Sequence, residues 1–152
     1  MRKNKTILYI GNDLATETKY TSSMEILSQL LRKEKFIIYK SSSNKKRVLR
    51  LFEMCFSVVK HRNKTDYILI DTFSTSNFYF ALMTSQLSRV FGIKYIPILR
   101  GGNLPTRLNS SKYLSKLIFK YSYKNVAPSS YLKYEFKKKG FASILIPNII
   151  TI

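Results

Sequence analysis

The strongest constraint on this chain is a repeated alternation of short apolar runs with longer amphipathic segments. Polar, proline or glycine residues end each run, as is typical of buried strands followed by turns. Between the runs, apolar residues recur at three- and four-residue steps, which predicts helices. The predicted strands are residues 6–10, 36–39, 67–70, 95–99, 125–127 and 144–146.

This β-α alternation, repeated about five times, predicts a parallel sheet with helices on both faces. The expected fold class is α/β, a three-layer Rossmann-like arrangement, and 152 residues fit a single domain. Right-handed crossovers bring the carboxyl ends of parallel strands to one edge of the sheet. We therefore expect the loops at residues 11–13, 71–74, 100–103 and 128–130 to converge there.

The segment KYIPILRGGNLP, residues 94–105, has the pattern of a strand, a glycine turn and a polar loop. Open α/β sheets present ligand sites in this way, at the carboxyl end of a strand. Gly101 and Gly102 allow positive φ angles and a close approach of the backbone to a ligand. Their amides and the Arg100 guanidinium suit an anionic or hydroxyl-rich group. A tight turn with a surface arginine is the alternative interpretation.

Four carboxylates, Asp13, Glu17, Glu25 and Asp71, lie on or near the same predicted edge, and two of them closely follow a predicted strand. Asp13 follows the first strand, and Asp71 follows the third. A carboxylate in this position can hold a sugar hydroxyl or act as a base. Loop capping by Asp13 and turn stabilisation by Asp71 remain equally consistent with the sequence.

Missing motifs argue against several cofactor and metal classes. The first strand is followed by GNDLAT rather than G-x-G-x-x-G, which argues against a nicotinamide or flavin cofactor. A G-x-x-x-x-G-K-[ST] phosphate loop is also absent, which argues against an NTPase. One cysteine, Cys55, and one histidine, His61, form no metal-ligand pattern. We expect no cofactor and no bound metal.

The chain is strongly basic, with 27 Lys and Arg residues against 8 Asp and Glu, a net charge of +19. Such a surface attracts polyanions, including nucleic acid, acidic lipid headgroups and phosphorylated substrates. The apolar runs are too short for a membrane-spanning helix, and no signal peptide is predicted. We expect a cytoplasmic protein, either free or peripheral at the inner membrane face.

One predicted helix, residues 111–121, has a regular positive stripe. Lys112, Lys116 and Lys120 recur at four-residue steps, and Lys124 continues the stripe. This stripe is either the solvated face of an ordinary surface helix or a docking face for anionic lipid.

The aromatic residues bear on nucleic-acid binding, which needs aromatic side chains among basic ones on an exposed surface. We expect most of the tyrosines and phenylalanines at core-facing positions. In the predicted helix of residues 46–62, Phe52 and Phe56 belong to a wide apolar stripe with Leu49 and Val59. Nucleic acid is therefore not the expected partner.

Five segments, in their order along the chain, resemble a known family. They are ILYIGND, DYILIDTFST, YIPILRGGNLP, KNVAPSSYLKYEFKKKG and ILIPNII. Together they are similar to the amino-terminal half of a glycosyltransferase family 4 enzyme of the GT-B fold. Pro147-Asn148 stands where the first domain of that family runs into the second, and the resemblance covers essentially the whole chain.

The resemblance implies a sugar transferase that uses a nucleotide-sugar donor, usually with retention and without a metal. Its amino-terminal domain mainly binds the acceptor, and its carboxyl-terminal domain holds most of the donor. Carried onto this sequence, the resemblance places Gly11, Ser129 and Ser130 near the donor phosphates. It assigns acceptor binding to Asn12, Asp13, Asp71, Thr72, Arg100, Gly101, Gly102 and Asn103, and it assigns no catalytic residue.

The sequence departs from the family pattern at three points. Arg100 stands where many members have a histidine before the glycine pair, and the first loop has only Gly11-Asn12 in place of a glycine-rich run. The chain also stops at Ile152, where a second domain with paired glutamates is expected to begin. We therefore expect residues 1–152 to be the acceptor-side domain of a fragment or a split enzyme, inactive alone.

Three functional hypotheses follow. The first is the acceptor-binding half of a glycosyltransferase that builds a cell-surface polysaccharide or glycolipid. Its partners would be a nucleotide sugar, a glycan or lipid-linked acceptor, an anionic membrane surface, and a carboxyl-terminal domain in cis or trans. The alternative is a basic Rossmann-like binding module for nucleic acid or another polyanion, and the third is a small interaction protein that retains the fold.

Overall fold

The computed structural model describes residues 4–11, 23–41 and 45–147. Within these ranges, six strands alternate with six helices. The strands are β1 (Thr6–Ile10), β2 (Ile37–Ser41), β3 (Tyr67–Thr72), β4 (Lys94–Leu99), β5 (Val126–Ala127) and β6 (Ile144–Leu145). The helices are α1 (Ser23–Lys33), α2 (Arg47–His61), α3 (Phe78–Val90), α4 (Leu104–Ser110), α5 (Lys112–Phe119) and α6 (Ser130–Lys138).

The six strands are all parallel and form one sheet in the order β2-β1-β3-β4-β5-β6. The inner strands are rich in isoleucine, leucine and tyrosine, and both of their faces are covered, which explains their nearly continuous apolar sequences. All five residues of β1 are buried. The prediction of an α/β fold with a parallel sheet is confirmed.

Helices cover the two faces of the sheet unequally. In the strand order of the sheet, β2 lies on one side of β1, whereas every later strand lies on the other side of β1. Right-handed connections therefore place α1 on one face and α2 to α6 on the opposite face. The larger core cluster packs under α2 to α6, and the smaller one packs under α1. The three-layer prediction is confirmed, although among the described residues α1 is the only helix on its face.

Helix α2 directs its aromatic residues toward solvent. Phe52 and Phe56 are 67% and 65% exposed, whereas Arg50, Met54 and Val58 face the interior. The expectation that aromatic residues face the core is therefore wrong for this helix. Apolar residues occupy more than half of the circumference of α2. One part of this apolar surface packs against the sheet and α3, and the other part is left facing solvent.

Helix α4 was not expected from the sequence, which predicted a polar loop after Asn103. Pro105 lies in the first turn of α4, where its missing amide hydrogen costs no helical hydrogen bond. Leu104 and Leu108 are buried and fix the helix against the core. The following helix, α5, is accordingly shorter than the predicted segment of residues 111–121.

The amino-terminal end of α6 agrees with the sequence pattern. The Ser129 hydroxyl oxygen accepts a hydrogen bond from the Leu132 amide at 3.2 Å, as an N-cap residue does. None of the helices in the described ranges combines the length and hydropathy that crossing a bilayer requires.

Candidate functional site

The candidate site lies at the carboxyl edge of the sheet, where β1, β3 and β4 end side by side. Alternate residues of a strand point to the same face of the sheet. Tyr9, Asp71 and Arg100 therefore share the face that α1 covers. Gly11 follows β1, and its amide donates to the Ser41 carbonyl oxygen at 2.7 Å. The strand ends are thus held together at the point where the polar side chains emerge.

Three of these side chains form a closed ring of hydrogen bonds. The Tyr9 hydroxyl donates to Asp71 Oδ1 at 2.9 Å. Arg100 donates through Nε to the same Asp71 oxygen at 3.1 Å and through Nη2 to the Tyr9 hydroxyl at 3.1 Å. The side chains of Arg100 and Asp71 are only 13% and 7% exposed. We refer to Tyr9, Asp71 and Arg100 as the edge cluster.

Burial dominates the electrostatics of the edge cluster. It raises the pKa of Tyr9 well above its usual range, and the negative charge of Asp71 raises it further. Burial also raises the pKa of Asp71, and the Arg100 guanidinium and the Tyr9 hydroxyl offset part of this effect. Burial lowers the pKa of Arg100, but Asp71 and Tyr9 outweigh it and the net direction is upward. With Asp71 ionised, the cluster is a neutral Tyr–Asp⁻–Arg⁺ unit.

Gly11 packs directly against this cluster. A Cβ atom at Gly11 would lie 2.7 Å from Asp71 Oδ2 and 3.3 Å from Met24 Sδ. Only glycine fits this position without displacing a neighbour. The sequence placed Gly11 near a donor phosphate, and the structure places it against the second carboxylate oxygen of Asp71.

The glycine loop after β4 lies beside the edge cluster and is open to solvent. Gly101 has a φ angle of +90°, and a Cβ atom at Gly101 or Gly102 would meet no atom of the described residues within 4 Å. Asn103 is exposed and lines a shallow polar pocket with Ser74, Thr106, Arg107 and Ser110. This pocket is lined by neither Asp71 nor Arg100.

Arg107 holds two loops of the site edge together, and sequence reasoning did not single it out. Its Nε donates to the Ser74 carbonyl oxygen at 2.9 Å, and its guanidinium lies over the Phe78 ring at 5.0 Å. Arg107 thereby connects α4 to the loop after β3. Because α4 was not predicted, the sequence offered no signal for this contact.

The remaining predicted site residues have other surroundings. Thr72 is fully buried on the face opposite the edge cluster, and its hydroxyl donates to the Ile70 carbonyl oxygen at 3.1 Å. Ser129 uses its hydroxyl as the α6 cap, and Ser130 is exposed. Asn12 and Asp13 lie outside the described residues.

The predicted lysine stripe is exposed along α5. All four lysines of the stripe are exposed to solvent: Lys112 and Lys116 in α5, and Lys120 and Lys124 in the segment that follows it. Ile118 and Phe119 are buried on the inner side of the helix. The geometry is that of an amphipathic surface helix.

An apolar groove of about 230 Å³ lies next to the edge cluster. It runs over the part of the sheet that α1 does not cover, and Arg100 lies at one end. Apart from Ser23, the other lining side chains are apolar and include Ile26, Leu27, Leu69, Ile96, Ile98 and Ile146. The site thus combines a neutral polar cluster with an open apolar surface.

Tyr9 is the member of the edge cluster that sequence reasoning missed. It lies in an otherwise aliphatic strand and is fully buried. The sequence offers one signal for this role. Tyr9 is one residue before the end of an aliphatic strand, and a buried tyrosine hydroxyl needs a hydrogen-bond partner.

No group of three His, Cys, Asp or Glu residues in the described ranges is placed to hold a metal ion. Comparisons with protein-family models, with curated proteins and with solved structures returned no match. The site is therefore interpreted from its own geometry.

Proposed function

We propose that this chain is the acceptor-binding half of a glycosyltransferase. In this proposal, a sugar passes from a nucleotide-sugar donor to a polysaccharide or glycolipid acceptor of the cell surface. The observation that carries the proposal is the buried edge cluster, which stands at the carboxyl ends of three adjacent parallel strands. Ligands of open α/β sheets bind in this position.

The charge balance of the edge cluster supports an acceptor role over a phosphate role. Asp71 compensates the charge of Arg100, so these two slightly exposed side chains offer hydrogen-bonding groups without net charge, and the fully buried Tyr9 holds them in place. Such a surface suits the hydroxyl groups of a sugar, which donate and accept hydrogen bonds and carry no charge. The adjacent apolar groove suits a sugar ring face or the apolar part of a lipid-linked acceptor.

The proposal includes a second domain. The glycine loop and the pocket around Asn103 are open to solvent, which supports their proposed role as one wall of a cleft. We propose that a carboxyl-terminal domain, in cis or in trans, supplies the opposite wall and holds the nucleotide sugar. Residues 1–152 alone are then expected to bind acceptor without transferring sugar, with no cofactor and no metal.

The proposed location is cytoplasmic, with peripheral contact to the inner membrane face. The exposed stripe of Lys112, Lys116, Lys120 and Lys124 supports this part of the proposal. Each basic residue near an anionic membrane surface contributes about 1 kcal/mol to binding.

The proposal is tested by titrating the ¹⁵N-labelled chain with a panel of methyl glycosides and with UDP-glucose. We expect glycoside-induced chemical-shift changes in the amides of Gly11, Arg100 and Gly101. Asp71→Asn should weaken glycoside binding by about tenfold, because it removes a charged hydrogen-bonding group from the cluster.

The matched control is Asp66→Asn. Asp66 directly precedes β3, at the end of the strand opposite Asp71. Its Oδ2 accepts a hydrogen bond from the Thr6 amide at 2.8 Å. This variant should leave glycoside binding within about twofold of the original value. Shift changes remote from Gly11 and Arg100, or equal effects of the two variants, would contradict the acceptor site. Measurable sugar transfer by the 152-residue chain would contradict the proposed need for a second domain.

A second candidate function, polyanion binding, is favoured by aromatic and basic residues at the opposite edge of the sheet. Lys94 Nζ lies 4.9 Å from the Tyr123 ring centroid, and the Arg89 guanidinium lies 3.9 Å from that of Tyr121. Tyr121 and Tyr123 are each 46% exposed, so their rings lie at the surface among cations, which is the composition of sites where bases stack. Affinity for single-stranded DNA that persists at physiological salt and falls steeply with added salt would favour this function.

A further inference from the structure

We propose that the outer surface of α2 and α3 docks on an anionic lipid bilayer by inserting apolar side chains. We define the α2–α3 apolar face as Val48, Leu49, Phe52, Phe56, Met83 and Val90, whose exposed fractions range from 46% to 75%. This inference extends the peripheral location proposed above, but its own observations do not depend on sugar transfer.

The orientation of α2 is the first observation. Successive residues of an α-helix are about 100° apart, so Phe52 and Phe56 lie on the side opposite Arg50, Met54 and Val58. The inward side includes an arginine that is only 6% exposed, and the outward side includes two phenylalanines. A helix whose outer face is in water normally has the reverse distribution. This distribution is therefore typical of a helix whose outer face contacts a second apolar environment rather than water.

Helix α3 continues the same surface. Tyr79, Met83 and Val90 follow one another on its outer side and are 46%, 47% and 75% exposed. The Arg50 guanidinium lies over the Phe80 ring at 5.5 Å, and the Arg62 guanidinium lies over the Phe91 ring at 5.7 Å. The two helices are thus side by side at both ends, and their exposed apolar residues belong to one surface.

The charge distribution identifies the occupant as an anionic bilayer. Exposed basic residues stand just before and at the start of α2, at Lys45, Lys46 and Arg47, and others stand at and beyond its end, at Lys60 and Arg62. Glu53 is the only acidic residue in the sequences of α2 and α3. Helices that lie in the membrane interface combine an apolar face with Lys and Arg residues that meet anionic headgroups, and α2 with its flanking residues has both. Large exposed apolar patches on a soluble fold also indicate an interaction surface.

The lysine stripe of α5 fits the same orientation. Helices α2, α3 and α5 lie on one face of the sheet, and α3 contacts both of the others. The exposed lysines of α5 therefore stand on the same helical layer as the α2–α3 apolar face. In this arrangement the lysines attract the bilayer surface, and the apolar residues enter the boundary between headgroups and acyl chains.

The absence of tryptophan from the chain provides a direct test. Phe52→Trp introduces a single fluorophore at the proposed point of insertion. With vesicles of equal parts phosphatidylglycerol and phosphatidylcholine, we expect its emission to shift to shorter wavelength and to be quenched by brominated acyl chains. The matched control is Leu30→Trp on α1, on the opposite face of the sheet, where the native side chain is 37% exposed and no shift or quenching is expected.

Affinity measurements complete the test. The double variant Phe52→Ser with Phe56→Ser should bind these vesicles at least about tenfold more weakly, because two aromatic rings no longer enter the interface. Leu30→Ser with Ile144→Ser, on the face of the sheet that α1 covers, should remain within about twofold of the original affinity. Both pairs are exposed, so circular dichroism should show folded protein in each case. Lys112→Gln with Lys116→Gln and Lys120→Gln measures the charge contribution of α5 separately.

Three outcomes would overturn the inference. The first is an unchanged Phe52→Trp spectrum with anionic vesicles. The second is a shift that occurs without vesicles and grows with protein concentration, which would assign the surface to a second copy of the chain. The third is equal vesicle binding by the two serine variants.

Discussion

At the scale of single residues, the tightest packing in the candidate site is around Gly11. The edge cluster holds the Asp71 carboxylate from one side, so it cannot move away easily when Gly11 acquires a side chain. Met24 of α1 closes the other side. The close approach at Gly11 therefore couples β1, β3 and α1 at the site.

Gly11→Ala should lower the free energy of unfolding by about 1–3 kcal/mol, the usual cost of overpacking a closed position. Gly102→Ala is the control, because its added Cβ atom would meet no atom of the described residues within 4 Å and its φ angle is not positive. The control should change stability by less than about 0.5 kcal/mol. Urea denaturation of both variants provides the measurement, and equal stabilities would contradict the close approach at Gly11.

His61 is a second residue with a defined energetic role. Its ring stacks on Tyr39 with centroids 4.5 Å apart, and its Nδ1 is buried without a hydrogen-bond partner among the described residues. Burial lowers the pKa of His61, and the charges of Lys64 and Lys60 lower it further. The folded state therefore favours the neutral imidazole.

This shift predicts how stability changes with pH. An unfolded histidine has a pKa of about 6.5, so the unfolded state takes up the proton first as the pH falls. Stability should consequently decrease as the pH falls through 6.5 toward the lower pKa of the folded state. Melting temperatures at pH 7.5 and 5.5 should differ less for His61→Phe, which retains the ring stack, than for the original chain. Since His61 is the only histidine, one NMR resonance reports its pKa, and a value above 6.5 would contradict the prediction.

At the scale of elements, α6 shows how a local pattern specifies a boundary. Ser129 has extended backbone angles, and its hydroxyl oxygen accepts the Leu132 amide. Leu132 and Phe136 then face the core at the four-residue spacing of a helix. The capping serine and the apolar residues lie within a few positions of one another in the sequence. The sequence alone was therefore enough to predict this helix.

Ser129→Ala should destabilise the fold by about 1 kcal/mol, because an amide of the first turn loses its acceptor. The adjacent Ser130→Ala is the control, since Ser130 is exposed and is the first residue of α6 rather than its cap. It should change stability by less than about 0.5 kcal/mol. Thermal denaturation distinguishes the two, and a larger effect of Ser130→Ala would show that the cap is assigned to the wrong serine.

At the scale of the whole molecule, the net charge of +19 opposes compaction. The folded chain brings its lysines and arginines closer together than the unfolded chain does. Counter-ions reduce this repulsion, because added salt shortens the distance over which exposed charges interact.

The melting temperature should therefore rise by a few degrees as NaCl increases from about 10 mM to about 150 mM, where the screening length falls from about 30 Å to about 8 Å. The triple variant Lys112→Gln, Lys116→Gln and Lys120→Gln removes three positive charges from α5 and should respond less to salt. Differential scanning calorimetry at fixed pH measures both. A melting temperature that falls with salt would show that attractive charge pairs outweigh the repulsion.

The candidate site was partly predictable from the sequence. Asp71 and Arg100 were expected at the carboxyl edge, because each directly follows a predicted strand and parallel strands end on one edge. Tyr9 was not expected, because its partners are 62 and 91 residues away along the chain. The polar pocket around Asn103 also depends on Arg107 of α4, a helix that the pattern of residues 100–105 did not indicate.

The sequence by itself determined the succession of strands and of every helix except α4, the parallel sheet and the cap of α6, because these depend on spacing and turn chemistry within short segments. Tertiary packing alone decided which arc of α2 faces the sheet, how much of the second face α1 covers, and which side chains meet Asp71. These features depend on contacts between residues far apart in the chain. Where apolar residues extend around most of a helix, as in α2, local periodicity cannot select the buried side, and the neighbouring elements select it.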